Sequence, residues 1–298
     1  MRIVLTGSGG LIGTALGASL EQDGTEVTRL VRRPPAAPGE VRWDPRKPGT
    51  GLDPAVVSGA DAVIHLAGAP VAGGRWTDAR KRILRDSRIV STATLVTAMT
   101  AAARPPRVLM SGSAIGRYGD TGDQAVTESA PPGSGFLADL VTDWEAAAEP
   151  ASAAGIRVVN LRSGIVLSRD GGMLGPLLWP FRLGLGARLG SGQQYISWIA
   201  RTDHVRATRF LLDHDDIAGP VNLTAPEPVT NAEFTRTLGS VLRRPTLLTV
   251  PAEPIRLILG ELSGELLNSV RVLPERLQQA GFTFTYPAVA PALAAETR

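Results

Sequence analysis

Three observations predict a doubly wound α/β fold built on a parallel sheet, with a smaller carboxyl-terminal lobe. The chain opens on a short apolar run ending at Thr6, a glycine-rich turn over Gly7–Gly13, and a helix-like stretch from Thr14 to Leu20. Strand-like and helix-like segments then alternate about six times, the pattern of repeated βα units. Near residue 167 the alternation stops and Gly and Pro become dense, so a second, smaller unit follows. Together these describe a Rossmann-type sheet with an appended lobe.

The first unit carries a dinucleotide-binding signal. Gly7, Gly10 and Gly13 are spaced three apart between a strand and a helix. Gly7 makes the tight turn, Gly10 lets the backbone approach a pyrophosphate, and Gly13 lets the helix pack closely on the strand. The helix N-terminus offers unpaired N–H groups to phosphate oxygens. Thr6, Gly7, Ser8, Gly9, Gly10, Leu11, Ile12 and Gly13 are therefore the expected cofactor turn. Glu26–Val31 alternates as a second strand and ends in Arg32-Arg33-Pro34-Pro35. An acidic residue at this point would bind the ribose hydroxyl of NAD, whereas Arg suits a 2′-phosphate. Arg32 and Arg33 thus favour NADP(H) over NAD(H). The alternative is a solvated strand end.

Glu40–Trp43 reads as a short third strand, followed by a Pro/Gly-rich loop. Asp53 and Pro54 begin a short helix as N-cap and first residue. Ala62–Leu66 is a buried strand, within which His65 reads as a packed residue. Leu66, Ala67 and Gly68 leave room for a cofactor to pass. Thr77 to about Ala103 reads as one long helix, from the spacing of Ile83, Val90, Leu95 and Met99. Arg107–Met110 is the next strand and runs into Ser111-Gly-Ser113, at the end of the sheet where such folds place ligands. Residues 120–135 are loop, and Phe136 to about Ser152 is helix. Ile156–Leu161 is a strand ending at Arg162. Ser111 and Arg162 join the expected cofactor residues.

Beyond residue 167, Thr202–Leu212, Asn231–Val241, Pro254–Ser269 and Pro274–Ala280 read as helices. Val221–Leu223, Thr246–Val250 and Phe282–Tyr286 read as strands. The expected division is a cofactor domain over 1–166, to which segments around 196–224 return, and a mixed α/β lobe over 167–298.

Composition removes several function classes. The chain has no Cys and three His, so thiol chemistry, disulfides and a histidine-rich metal site are excluded, and no metal is expected. The net charge of +3 comes from scattered basic residues, which is no nucleic-acid footprint. The apolar amino terminus carries the glycine turn, against a secretory signal. The apolar stretch Met173–Leu189 is too short and too interrupted to span a bilayer, so no membrane partner and a cytoplasmic location are expected.

These residues resemble a known family. Thr6-Gly7-x-x-Gly10-x-x-Gly13, His65-Leu-Ala-Gly68, Ser111-Gly-Ser113 and Trp198-Ile-x-x-x-Asp203 are similar to the extended short-chain dehydrogenase/reductases. Trp43-Asp-Pro45, Arg75-Trp-Thr77, Ser87-Arg88, Asp143-Trp-Glu145 and Val221-Asn-Leu-Thr224 narrow the resemblance to the atypical branch called epimerase-family proteins. The tail from Leu273 to Phe282 matches the small carboxyl-terminal domain of that branch, about 247–293. The resemblance implies a nicotinamide cofactor in the first domain and a substrate, a nucleotide sugar or a carbonyl compound, under the second lobe. It also implies Ser113 at the family's catalytic serine position.

The family's acid/base pair is missing. That chemistry uses a Tyr followed four residues later by a Lys, whose charge stabilises the phenolate. The three Tyr are followed four residues on by Gly122, Ile199 and Ala290, and the only Lys are Lys47 and Lys81. The catalytic candidates are therefore Ser113 and the nearest phenol, Tyr118, with Asp139 and Asp143 as replacement acids or solvated residues. Trp76, Tyr195 and Trp198 are the candidate substrate walls, or else lobe-packing residues. The leading reading is an NADP(H)-dependent oxidoreductase or epimerase-like enzyme, monomeric or homodimeric. The alternative is a non-catalytic NADP(H)-dependent regulator or scaffold with a protein partner, a role consistent with the cell-division label that some relatives bear.

Overall fold

The computed structural model describes residues 1–72 and 74–297. Seven parallel strands form its central sheet: β1 (Arg2–Thr6), β2 (Glu26–Val31), β3 (Glu40–Arg42), β4 (Ala62–His65), β5 (Val108–Ala114), β6 (Arg157–Ser163) and β7 (Gly219–Leu223). Their order is β7-β6-β5-β4-β1-β2-β3. The chain therefore reverses direction between β1 and β4, the switch point where doubly wound sheets bind ligands. Register is direct, with Thr6 beside both Leu30 and His65, and His65 beside Ser111.

Both faces of the sheet are buried, which explains its near-continuous apolar strands. Ile3, Leu5, Ile64 and Met110 pack on one face with α1 (Leu11–Gln22). Val4, Val63 and Leu109 pack on the other, against Leu95 and Met99. The alternation follows from successive strand side chains pointing to opposite faces.

The helix expected from Thr77 to Ala103 is two helices, α2 (Asp78–Asp86) and α3 (Ile89–Thr100). The break falls at Ser87 and Arg88. The Ser87 hydroxyl donates to the Leu84 carbonyl at 3.1 Å and accepts from the Ala69 N–H at 3.0 Å. Arg88 donates to Leu84 and Ala69 carbonyls at 3.2 and 3.0 Å. These bonds exchange helical continuity for a grip on the loop after β4. The next helix, α4 (Phe136–Ala146), also ends early, before a short turn of helix at Glu149–Ala153.

The lobe is built on α5 (Leu174–Arg182), α7 (Asn231–Leu242), α8 (Ala252–Leu259) and a single turn, α9 (Gly264–Leu267), while α6 (Arg201–Asp213) returns to the sheet and packs beside α1 through Val205, Ala207 and Leu211. The helix expected over Pro254–Ser269 is thus interrupted by a 3₁₀ turn at Gly260–Ser263. Its core gathers Leu178, Phe181, Trp198, Phe234 and Leu293. The expected strand at Phe282–Tyr286 is absent. The buried carboxylate of Asp203 accepts from the Thr285 and Tyr286 N–H groups at 2.8 Å each, so those donors serve a side chain instead of a sheet. Among the described residues no helix is long and apolar enough to cross a membrane.

Candidate cofactor and substrate site

The glycine turn is shaped by backbone contacts that exclude side chains. Gly7 has φ of +70°, and a Cβ there would lie 2.6 Å from the Leu66 carbonyl carbon. A Cβ on Gly13 would lie 2.2 Å from the Gly7 oxygen. Gly10 donates to the Gly7 carbonyl at 2.9 Å and opens α1 without any side-chain cap or first-turn acid. Gly9 and Gly10 are exposed. The result is an uncapped helix N-terminus behind an open turn, a fit for a pyrophosphate.

A buried relay fixes the loop beside this turn. Ser91 donates to the Ser87 and Arg88 carbonyls, so it accepts from Nε2–H of His65 at 3.1 Å. Nδ1 of His65 is then the acceptor for the Thr6 hydroxyl at 2.7 Å. Thr6 Oγ1 in turn accepts from the Ala67 N–H at 3.3 Å. Burial holds the His65 pKa down to about 4, so the ring stays neutral and the tautomer is fixed. Gly68 lies against the Arg88 guanidinium.

At the end of β2 the two arginines differ. Arg33 makes a bidentate pair with Glu40 at 2.6 and 2.7 Å. Arg32 is exposed, and no described residue pairs with it. Glu40 comes from the start of β3, opposite Arg29, and its carboxylate is taken up by Arg33 and the Ala36 N–H.

Two cavities meet in front of the sheet. The smaller, about 380 Å³, is walled by Gly7, Gly10, Leu11, Ile12, Gly13 and Leu66, with Arg88, Ser113 and Trp144 further in. The larger, about 1040 Å³, lies under the lobe and is walled by Trp76 and Tyr195 among others. Val71, Ile115, Gly116, Leu137, Ile165 and Glu265 line both, so one space continues into the other. Trp198 lines neither; it is fully buried and donates its indole N–H to the Glu227 carbonyl at 3.0 Å. Thr6, Ser8, Gly9, Ala67 and Gly68 stand behind or beside the lining. Ser111 is buried within β5, its hydroxyl turned to the Gly112 carbonyl.

The face that α4 turns to the smaller cavity is apolar, with Leu137, Leu140, Val141 and Trp144 at helical spacing. Asp139 is exposed and Asp143 pairs with Arg85; neither lines a cavity. The catalytic candidates separate. Ser113 faces the cavity and donates its hydroxyl to Glu145 at 2.6 Å. Glu145 also takes both arms of Arg162, at 2.8 and 2.9 Å. Arg162 and Tyr118 line neither cavity. The Arg162 guanidinium donates to the Tyr118 oxygen at 2.8 Å, and the phenol donates to Asn222 at 2.7 Å. Burial raises the Tyr118 pKa above its ordinary value, so this phenol stays protonated as a structural link.

Residues 3–223 match the NAD dependent epimerase/dehydratase family, and residues 250–296 match a domain of unknown function, DUF1731. The chain belongs to the NAD-dependent epimerase/dehydratase family. An epimerase family protein of Mycobacterium bovis, Mb2239, is 46% identical over 98% of this chain and 96% of its own length. The crystal structure of human epimerase family protein SDR39U1 (isoform 2) with NADPH superposes with a TM-score of 0.91 at 34% identity, over 99% of each chain. A nucleoside-diphosphate sugar epimerase from Corynebacterium glutamicum superposes with a TM-score of 0.81 at 35% identity, over 99% of this chain and 58% of that one.

Both matched segments contribute to the lining of the smaller cavity. The epimerase segment supplies the glycine turn, and the DUF1731 segment supplies Glu265. Sequence reasoning missed Glu265, because nothing around Gly264–Leu267 marks it. No hydrogen bond or ion pair engages its carboxyl among the described residues. The side chain is accessible through the cavity, yet the protein atoms crowded around it push its pKa up to about 7.

Proposed function

We propose that this chain is an NADP(H)-dependent oxidoreductase or epimerase-like enzyme whose proton-transfer group is Glu265. The observation that carries the reading is the continuity of the glycine-turn cavity with the larger cavity, at a wall that includes Glu265. The glycine turn fits a dinucleotide, since its shape depends on positions where a Cβ is excluded. A nicotinamide bound there supplies a two-electron reductant or oxidant at its C4 carbon. Arg32 is the residue free to meet a 2′-phosphate, which supports NADP(H) over NAD(H).

The protein's own groups manage the substrate oxygen. Ser113 commits its hydrogen to Glu145, so its remaining lone pairs accept from a substrate hydroxyl. Glu265 holds a proton near neutral pH and delivers it to a carbonyl oxygen, or removes it from a hydroxyl. A carboxyl titrating near the working pH suits either direction. Purified protein should oxidise NADPH with some members of a carbonyl panel. Gly10→Asp should abolish this, and Glu265→Gln should lower kcat by about 10²–10⁴-fold with unchanged NADPH affinity. Turnover unaffected by Glu265→Gln would remove that residue from the reaction.

A second reading, an NADP(H)-dependent regulator with a protein partner, is favoured by one observation. Trp179, Leu183, Leu185, Leu247 and Leu248 are exposed on the lobe, Leu247 to 90%. Co-purification with and without NADPH separates the readings, since a regulator should capture a partner in only one of the two conditions.

A further inference from the structure

We infer that the larger cavity takes an uncharged, predominantly apolar carbonyl compound or its alcohol, and not a nucleoside-diphosphate-linked sugar. The inference rests on the oxidoreductase reading and names the substrate class for that same site.

The walls are the first argument. Trp76, Phe136, Met173, Leu177, Phe181 and Phe234 present apolar surface from four different stretches of the chain. At about 1040 Å³ the cavity is as large as drug-sized ligand sites become, ~300–1,000 Å³.

Charge is the second. A diphosphate needs Arg, Lys or a helix N-terminus to replace its hydration. Among the described residues no Arg, Lys or His lines this cavity; its charged lining residues are Glu261 and Glu265, and of the helix starts on its wall α4 and α7 carry Asp139 and Glu233 in their first turns and α5 carries Pro176. Lys81 lies close by, but it is held by Glu261 at 2.7 Å and sits over the Phe136 ring at 5.2 Å. Arg88 lines only the smaller cavity, and its guanidinium is spent on the Leu84 and Ala69 carbonyls. An anionic diphosphate would therefore lose its water against apolar walls and face two carboxyl groups.

The remaining polar groups suit a neutral ligand. Gln194 donates to the Leu189 and Leu266 carbonyls, Asn231 accepts from the Leu189 N–H and Ser197 donates to the Val270 carbonyl, so these three serve the fold, while Ser134, Tyr195, Thr235 and Asn268 add neutral hydroxyl and amide groups to the wall. Glu265 is left unengaged at the junction, where a single carbonyl oxygen on an apolar body would meet it beside the cofactor cleft.

The test uses the full chain saturated with NADPH, with Nile red as an uncharged fluorescent probe and 2-undecanone and UDP-glucose as competitors. Nile red should bind, the ketone should displace it, and millimolar UDP-glucose should not. Leu177→Arg places a cation in the wall at a half-buried helix position. It should weaken Nile red and ketone binding at least 10-fold while NADPH affinity stays the same. Displacement of the probe by UDP-glucose, absence of probe and ketone binding, or probe binding indifferent to Leu177→Arg overturns the inference. NADPH absorbance is followed separately. Ketone binding without NADPH oxidation upholds the substrate class and counts against the oxidoreductase reading. Reduction of NADP+ by UDP-glucose, whose ring hydroxyl would become a ketone, with no turnover of 2-undecanone does the reverse.

Discussion

Leu137 and Val141 stand one helical turn apart on α4, and both line the cavity beside the glycine turn. Four residues is the spacing at which the wider family carries its Tyr and Lys. Here that spacing holds two aliphatic side chains, so the absence of the pair is a packed apolar wall and not a gap.

Val141→Lys should therefore fail to rebuild the pair by itself. Val141 is 2% exposed, and among the described residues no carboxylate lines this cavity except Glu265. An ammonium placed there without a partner should cost about 2–4 kcal/mol. Urea unfolding measures this. A loss under about 1 kcal/mol would mean that Glu265 or water reaches the new charge.

Arg32→Ala should weaken NADPH about 10-fold or more and leave NADH unchanged, since charge-assisted phosphate contacts are worth roughly 1.5–3 kcal/mol. Arg33→Ala should have the smaller effect on NADPH, because Glu40 already holds that guanidinium. Calorimetric titration of both variants with both cofactors decides the matter. Equal losses would show that NADPH recruits Arg33 away from Glu40.

Glu145→Ala strands the Arg162 charge, whose side chain is 3% exposed. The expected loss is about 3–5 kcal/mol of stability, as for other buried pairs broken from one side. Tyr118→Phe removes only one hydroxyl from the same chain of bonds and should cost about 1–2 kcal/mol. Its kcat should stay within a factor of two, and a larger fall would return Tyr118 to the catalytic group.

Stability should fall as pH is lowered from about 6.5 towards 4. His65 and His204 are both fully buried, with pKa values held down to about 4 from an ordinary 6.5. The unfolded chain binds protons at these rings before the folded chain does, so acid favours unfolding in that window. Each ring contributes roughly 3 kcal/mol above it. Glu265 acts with the opposite sign: its raised pKa makes the folded state bind a proton first, which favours folding as pH falls below about 7. Urea midpoints across this range should fall towards acid in the native chain and fall more steeply in Glu265→Gln.

The sheet and the glycine turn were legible because they are local. Gly7, Gly10 and Gly13 act within one strand–helix unit, and the buried strands announce themselves by apolar composition. What escaped was decided across distance in the chain. Apolar spacing continues through Ser87 and Arg88, so periodicity hides a break made by bonds to Leu84 and Ala69. Phe282–Tyr286 has the composition of a strand, but Asp203 claims its donors. Tyr118 is near Ser113 in sequence, yet Asn222 and Arg162 draw its hydroxyl into the interior. Glu265 becomes notable only when the lobe closes over α4.

The position of Glu265 so late in the chain has a consequence for synthesis. A polypeptide that has emerged only as far as Leu223 already owns the glycine turn and all seven strands of the sheet. It has no acid facing the cleft. On the reading proposed above, the residues of the cofactor turn are thus made before the proposed proton donor, while Leu277 and Phe282, which close the core of the sheet, arrive only after it.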